Sequence, residues 1–238
     1  MRNLVFSSLL ALSCWLAPAA HAQDWRPLLN GKNLDGWQAR GEGIWTVMPD
    51  GSLLGQRSHD KPSDPFGKPW PIDSKEFDSW LYRQAWLYTS ASYGQFDLHV
   101  EYFLPAHTNS GISIRDVSRA HYAIGEAGKA DPPLTTALKG TPAHIGYEIQ
   151  LIDGDSDKYP TGSVYTFVAA RKGVQKRDEW NSMDIESRTN MIRVKVNGVV
   201  VAEYAGDPAR SKTGPIGLQL HDQFTFVMFR NIKIREIK

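Results

Sequence analysis

Apolar and polar residues alternate with a period of two along most of the chain, and that spacing predicts β-strands. Phe96, Leu98, Val100 and Tyr102 alternate with Gln95, Asp97, His99 and Glu101. Tyr147, Ile149 and Leu151 alternate with Glu148 and Gln150. Ile192, Val194 and Val196 lead into Asn197-Gly198 and then Val199-Val200-Val201, the pattern of a tight hairpin. Tyr165–Phe167 reads as a short strand, and Ile216, Leu218 and Leu220 as another. Asp222-Gln223 predicts a turn into a strand over 224–229, and Ile232, Ile234 and Ile237 predict a separate closing strand. Helical spacing is scarce. Many short strands punctuated by Gly, Pro and Asn predict an all-β fold, two antiparallel sheets packed as a sandwich or jelly roll. Residues 57–82, with four prolines, and 116–145 break the rhythm and are expected to form long loops around one face.

The first residues change the picture. Arg2, an uncharged apolar run from Leu4 to Leu16, and Ala20-His21-Ala22 fit a cleavable export signal over residues 1–22. The run is shorter than the roughly 20 residues a bilayer-spanning helix needs, so no membrane span is expected in the mature chain. Residues 23–238 then form a single domain in the periplasm or outside the cell. Cys14, the only cysteine, lies inside the signal, which leaves the mature chain no thiol for a disulfide, a nucleophile or a metal site. All 26 acidic residues and 26 of the 27 basic ones lie beyond the signal, so the mature charge is balanced and nucleic acid is not an expected partner. Eight tryptophans and nine tyrosines suit either core packing or stacking on sugar rings.

Strand parity sorts the polar residues by face. Glu148 and Gln150 oppose Tyr147, Ile149 and Leu151. Gln219 and His221 oppose Leu218 and Leu220. Asn109, Gly111, Ser113 and Arg115 oppose Ile112 and Ile114. Neighbouring strands would give one wall carrying Arg115, Glu148, Gln150, Gln219 and His221, too polar for a packed core and natural for a wet binding face. A structural Glu148–Arg115 ion pair and a surface role for His221 beside Asp222 are the plainer alternatives.

LLNGKNLDGW (28–37), NSGISIR (109–115), GYEIQLID (146–153), EWN (179–181), VNG (196–198), GPIGLQLH (214–221) and FRNIKI (229–234) occur in this order. Together they resemble the 3-keto-disaccharide hydrolase family over nearly the whole mature chain. The resemblance implies a concanavalin-like jelly roll that cleaves glycosides already oxidised at C3, as a hydrolase or a lyase, helped by a divalent metal in some members. A C3 ketone acidifies the C2 proton, so cleavage by elimination needs a base near C2, an electrophile near the C3 oxygen and an acid near O1. Glu148 and His221 are the candidate catalytic groups. Asn109, Arg115, Gln150 and Gln219, together with Lys172, Trp180 and Asn181, are the candidate substrate-binding residues. His144, four residues before Glu148, could join it in a metal site. Trp180 could equally pack in the core, and Lys172 could simply be solvated. The E-x-D-x-x-E pattern of laminarinase-type enzymes is absent, because Gln150 stands where the second acid would be. The competing expectation is a lectin-like module that binds carbohydrate without turning it over.

Overall fold

The computed structural model describes residues 24–57, 81–121, 124, 145–154 and 158–237. The export-signal expectation and most of the two long irregular segments lie outside these residues.

The alternating segments fold as strands and pack as two antiparallel sheets. One sheet has β1 (Arg26–Pro27), β3 (Gly43–Val47), β4 (Leu53–Arg57), β6 (Phe96–Phe103), β9 (Trp180–Arg188), β10 (Met191–Val196), β11 (Val199–Tyr204) and β13 (Phe226–Glu236). Its order is β11-β10-β9-β6-β13-β4-β3, with β1 paired to β13. The other sheet is β2 (Trp37–Arg40), β5 (Ala85–Thr89), β12 (Ile216–Leu220), β7 (Asn109–Ile114) and β8 (Tyr147–Ile152), in the order β2-β5-β12-β7-β8. Arg26 pairs with Ile234, so the start and end of the domain lie in neighbouring strands. No helix among the described residues is long and apolar enough to cross a membrane.

Between the sheets the apolar halves of the alternations meet. Leu98, Val100 and Tyr102 of β6 and Met183 and Ile185 of β9 join Ile112, Ile114, Tyr147, Ile149, Leu151, Ile216, Leu218 and Leu220 in one buried cluster. Burial of this many large side chains, at about 25 cal/mol per Å² of apolar surface, is the main force holding the sheets face to face. The Asn197-Gly198 turn has φ of 49° and 78°, the double positive φ that a two-residue hairpin needs, and it joins β10 to β11 as the sequence predicts.

Two expectations are corrected. The strands expected over 224–229 and 232–237 are a single strand, β13, with a register shift between Arg230 and Lys233 where Asn231 takes φ +50°. This bulge moves the core-facing positions from Val227 and Phe229 to Ile232 and Ile234, and the change of phase reads as a break in the sequence. Tyr165–Phe167 is a turn, not a strand: Thr166 has φ +69°, and Val164 bridges both Ile149 and Val168. Its neighbours lie along the free edge of β8, where Gln150 N–H donates to Ser163 O and Tyr165 N–H to Glu148 O.

Candidate functional site

The face of the five-stranded sheet turned away from the core carries the polar halves of the alternations. Register places Glu148 opposite Ser113, Ser113 opposite Gly217, and Gly217 opposite Tyr88, one row across four strands. The next row sets Gln150 opposite Gly111 and Gln219 opposite Trp86. Two glycines make the base of this region. A Cβ on Gly217 would fall 2.4 Å from Tyr88 Cε1, and one on Gly111 would fall 2.8 Å from Glu148 Oε1 and 3.1 Å from Gln219 Oε1. The aromatic ring and the two polar side chains therefore lie down over bare backbone.

This face is polar and yet sealed. Glu148 is 4% exposed and Gln219 is fully buried. Burial is the main cause that pushes the Glu148 carboxyl up, to about 7; the His221 imidazole and the adjacent Gln219 amide pull it down, and the Asp116 carboxylate raises it further. Gln219 sits close enough to Glu148 to act on it electrostatically, but neither of its amide atoms completes a well-formed hydrogen bond, and neither does Ser113 Oγ. Buried polar atoms are almost always paired, and sets left open mark places where a polar ligand or water belongs. Gln150 Nε2 donates to Asn109 Oδ1 at 3.1 Å, which brings those two residues together at one side. His221 stands at the rim, 27% of its side chain exposed, with Nδ1 3.1 Å from Asp222 Oδ2 and its ring edge-on to Tyr82 at 6.0 Å.

Beside these groups Trp86 and Tyr88 stack at 5.5 Å, with Ala120 and Ile124 packed on them. Tyr88 donates to Asp116 Oδ2 at 2.5 Å. The same carboxylate accepts from Ala120 N–H and from the Ser118 N–H and hydroxyl, which ties the 116–120 turn down onto the sheet. Burial first, and the Asp116 charge next, push the Tyr88 hydroxyl well above its ordinary range, so it stays protonated and donating.

The structure thus brings together Glu148, Gln150, Asn109, Gln219 and His221 from the expected set, and separates the others. Arg115 leaves the strand with φ +58°, which breaks the parity that predicted its direction. Its guanidinium reaches the other sheet, where Nη2 donates to Arg188 O at 2.6 Å, so it neither lines the polar face nor pairs with Glu148. Trp180 lies on the outer face of the eight-stranded sheet, beside Phe103 at 6.0 Å and under the Arg230 guanidinium at 4.1 Å. Asn181 is a buried staple: its Oδ1 accepts from Lys176 N–H and Asn197 Nδ2, and its Nδ2 donates to Lys176 O and Glu179 O. Nothing of its amide is left for a sugar. Lys172 is exposed on a connection whose neighbour Arg171 is bonded to Val201 of β11, on the eight-stranded sheet. His144 lies outside the described residues.

Among the described residues no three His, Cys, Asp or Glu side chains gather as a metal site requires. The His221 imidazole and the Asp116 carboxylate act on Glu148 without gathering on it as such a site requires, and the other groups beside it are amides, a serine and a tyrosine, weak ligands for a divalent ion. They suit hydroxyl and oxyanion binding better. Sequence reasoning missed Trp86, Tyr88 and Asp116; parity put Ser113 on the correct face but gave it no role. The period-two placement of Trp86 and Tyr88 was a usable signal, but β5 carries no charged residue to say which of its faces is wet.

Known structures share the architecture. A candidate glycosyl hydrolase from Parabacteroides distasonis is 22% identical, with 90% of this chain and 94% of that one covered, at a TM-score of 0.59. A galectin-like protein of unknown function from Bacillus subtilis gives 10% identity, 91% and 96% coverage, and 0.53. The carbohydrate-binding module CBM66, also from Bacillus subtilis, gives 12%, 84% and 96%, and 0.51. At these identities the likeness shows the jelly-roll fold alone. Curated protein sequences give no match. The family comparison reaches further: a model matches residues 24–235, so the chain belongs to the 3-keto-alpha-glucoside-1,2-lyase-like domain family and its function is carbohydrate-related.

Proposed function

We propose that the protein cleaves glycosides carrying a ketone at C3, by removing the C2 proton and expelling the C1 substituent. The observation that carries this reading is the Glu148 carboxyl, pushed up to about 7 by burial among polar groups that lack partners. A base held near neutrality is matched to abstracting a proton from carbon next to a carbonyl. In the first step the C2 proton passes to a Glu148 oxygen, and the C–H electron pair moves toward C3 to give an enediolate. The Gln219 amide N–H and the Ser113 hydroxyl, neither held in a well-formed hydrogen bond, donate to the oxyanion. In the second step the C3 carbonyl reforms, a C1=C2 double bond forms, and the C1–O1 bond breaks with its pair going to O1. His221 at the rim supplies a proton to the departing oxygen. Addition of water across the double bond then gives the hydrolysis product. Trp86 and Tyr88 shape the buried end of the same face, while Gln150 and Asn109 bind hydroxyls. With residues 1–22 read as an export signal, the reaction is placed outside the cytoplasm.

The test is aglycone release from a p-nitrophenyl 3-keto-glucoside by the purified protein, run in D₂O and repeated with added Mn²⁺ or Zn²⁺. Elimination followed by hydration places deuterium at C2. Release of a saturated sugar without deuterium would point to direct hydrolysis, release of the C1=C2 unsaturated sugar would show elimination without hydration, and binding with no release under any condition would make the protein a lectin-like module and end the proposal.

A further inference from the structure

Arg57, the last residue of β4, is 5% exposed, and its Nε, Nη1 and Nη2 are all sealed from solvent without a hydrogen-bond partner. A guanidinium carries five N–H donors and no acceptor, and a buried charge is normally paired. Two carboxylates act on it electrostatically but are engaged elsewhere. Glu42 Oε2 lies 3.5 Å from Arg83 Nη1, while Asp222 accepts from Phe224 N–H and meets His221 Nδ1. A second orphan donor lies on the paired strand. Register sets Gly43 of β3 opposite Arg57, and Trp45 Nε1, also buried and without an acceptor, is 2.8 Å from where a Gly43 Cβ would stand. Burial lowers the Arg57 pKa, but only to about 10, so the charge persists at neutral pH. One end of the sandwich thus collects guanidinium and indole N–H groups with no oxygen among the described residues to receive them. The His221–Asp222 rim of the polar face adjoins it.

We propose that Arg57 and the Trp45 indole N–H form a subsite for a carboxylate borne by the sugar substrate, so that the preferred glycosides are acidic. The chemistry selects a carboxylate over a phosphate. The planar fork accepts two carboxylate oxygens side by side. Arg57 offers a single unpaired positive charge, so the site tolerates one added negative charge better than two. The partly exposed Glu42, Arg83 and His221 mark the approach from solvent. The proposal rests on the glycoside-cleaving reading only for what carries the carboxylate.

Calorimetric titration of the whole protein with glucuronate, glucose and acetate tests it. Glucuronate is expected to bind about tenfold or more tightly than glucose, with acetate far weaker than glucuronate. Arg57→Met replaces an unpaired buried charge by an apolar chain, so the variant should fold and should lose the preference for glucuronate. Trp45→Phe, which removes a single N–H, should weaken glucuronate several-fold and keeps the test open if the Met variant does not fold. Equal binding of glucuronate and glucose, an undiminished preference in the variants, or acetate binding as tight as glucuronate would each overturn the subsite. The two readings separate cleanly. Turnover of a neutral 3-keto-glucoside without any glucuronate preference removes the subsite and leaves the enzyme. A preference lost in Arg57→Met with no turnover of any 3-keto-sugar leaves the subsite and removes the lyase.

Discussion

The two sheets show water opposite kinds of polar surface. On the outer face of the eight-stranded sheet the acids are met by bases. Asp97 takes Arg188 Nη2 at 2.5 Å and Arg235 Nη2 at 2.6 Å, Glu101 takes Arg230, and Glu186 takes both Arg193 and Lys195. Partial burial alone would raise the Asp97 carboxyl, but hydrogen bonds from Arg235 and Arg188 hold it below its ordinary range. On the outer face of the five-stranded sheet Glu148 has no basic side chain hydrogen-bonded to it among the described residues, and Ser113 and Gln219 beside it are left open. The first surface spends its polarity on itself and is finished by folding. The second is left open by folding among the described residues. The Asp97 carboxyl is held down on one face and the Glu148 carboxyl pushed up on the other, which makes the second face the candidate for function.

The sharpest way to break this contrast is Glu148→Gln. Turnover of a 3-keto-glucoside should fall by about 10²–10⁴-fold, the usual worth of a general base, with ligand affinity by calorimetry little changed. The wild-type rate should rise with pH through about 7 as the carboxyl ionises. Stability should move the other way. The folded state holds the Glu148 proton more tightly than the unfolded chain, so the contribution of Glu148 to stability is fully present below about pH 4.5 and is lost as pH rises through about 7. The full loss is about 3 kcal/mol. Urea unfolding at pH 8 should therefore show the Gln variant more stable than wild type by an amount of that order, with no gain at pH 4; equal stability at both pH values would mean that Glu148 is not a buried, unpaired acid.

Gly217→Ala comes next. Its Cβ would collide with the Tyr88 ring, so a loss of about 2 kcal/mol in urea unfolding and a weaker sugar affinity are expected. On the finished face, Asp97→Asn should cost about 1–2 kcal/mol at pH 7 and leave turnover untouched. Because the folded Asp97 carboxyl is held low, that cost should disappear as pH falls through and below the ordinary carboxylate range, opposite in sign to Glu148. The smallest effect belongs to Trp180→Ala. Removing its contacts with Arg230 and Phe103 should lower stability by about 1 kcal/mol, and a measurable drop in sugar affinity would show that the two faces are not separate in function.

How much could be read in advance depended on whether a strand carries a polar half. β8 and β12 do, and parity placed Glu148, Gln150 and Gln219 on one face, with His221 just beyond. β7 does too, but parity fails one residue past its end, where the positive φ of Arg115 turns the side chain back toward the core. β5 reads Ala-Trp-Leu-Tyr-Thr, and a run with no charged member gives no hint that Trp86 and Tyr88 face away from the main core. Trp180 and Asn181 were drawn in by motif order, which conveys no direction, and register puts them opposite Phe103 and Tyr102 in the other sheet. The bulge at Asn231 hid the length of β13 because a strand that changes phase looks like two. Arg57 gave no local signal at all. Its isolation exists only because β3 and β4 set it opposite a glycine, at an end where the nearby acids are already taken.

Gly111 and Gly217 give the candidate site a base that cannot be remodelled. Any larger residue at either position meets Glu148, Gln219 or the Tyr88 ring before it meets a sugar. Relatives that adopt new glycosides on this scaffold must therefore diverge around the perimeter, and laboratory evolution for substrate scope should randomise the surrounding segments while holding those two positions fixed.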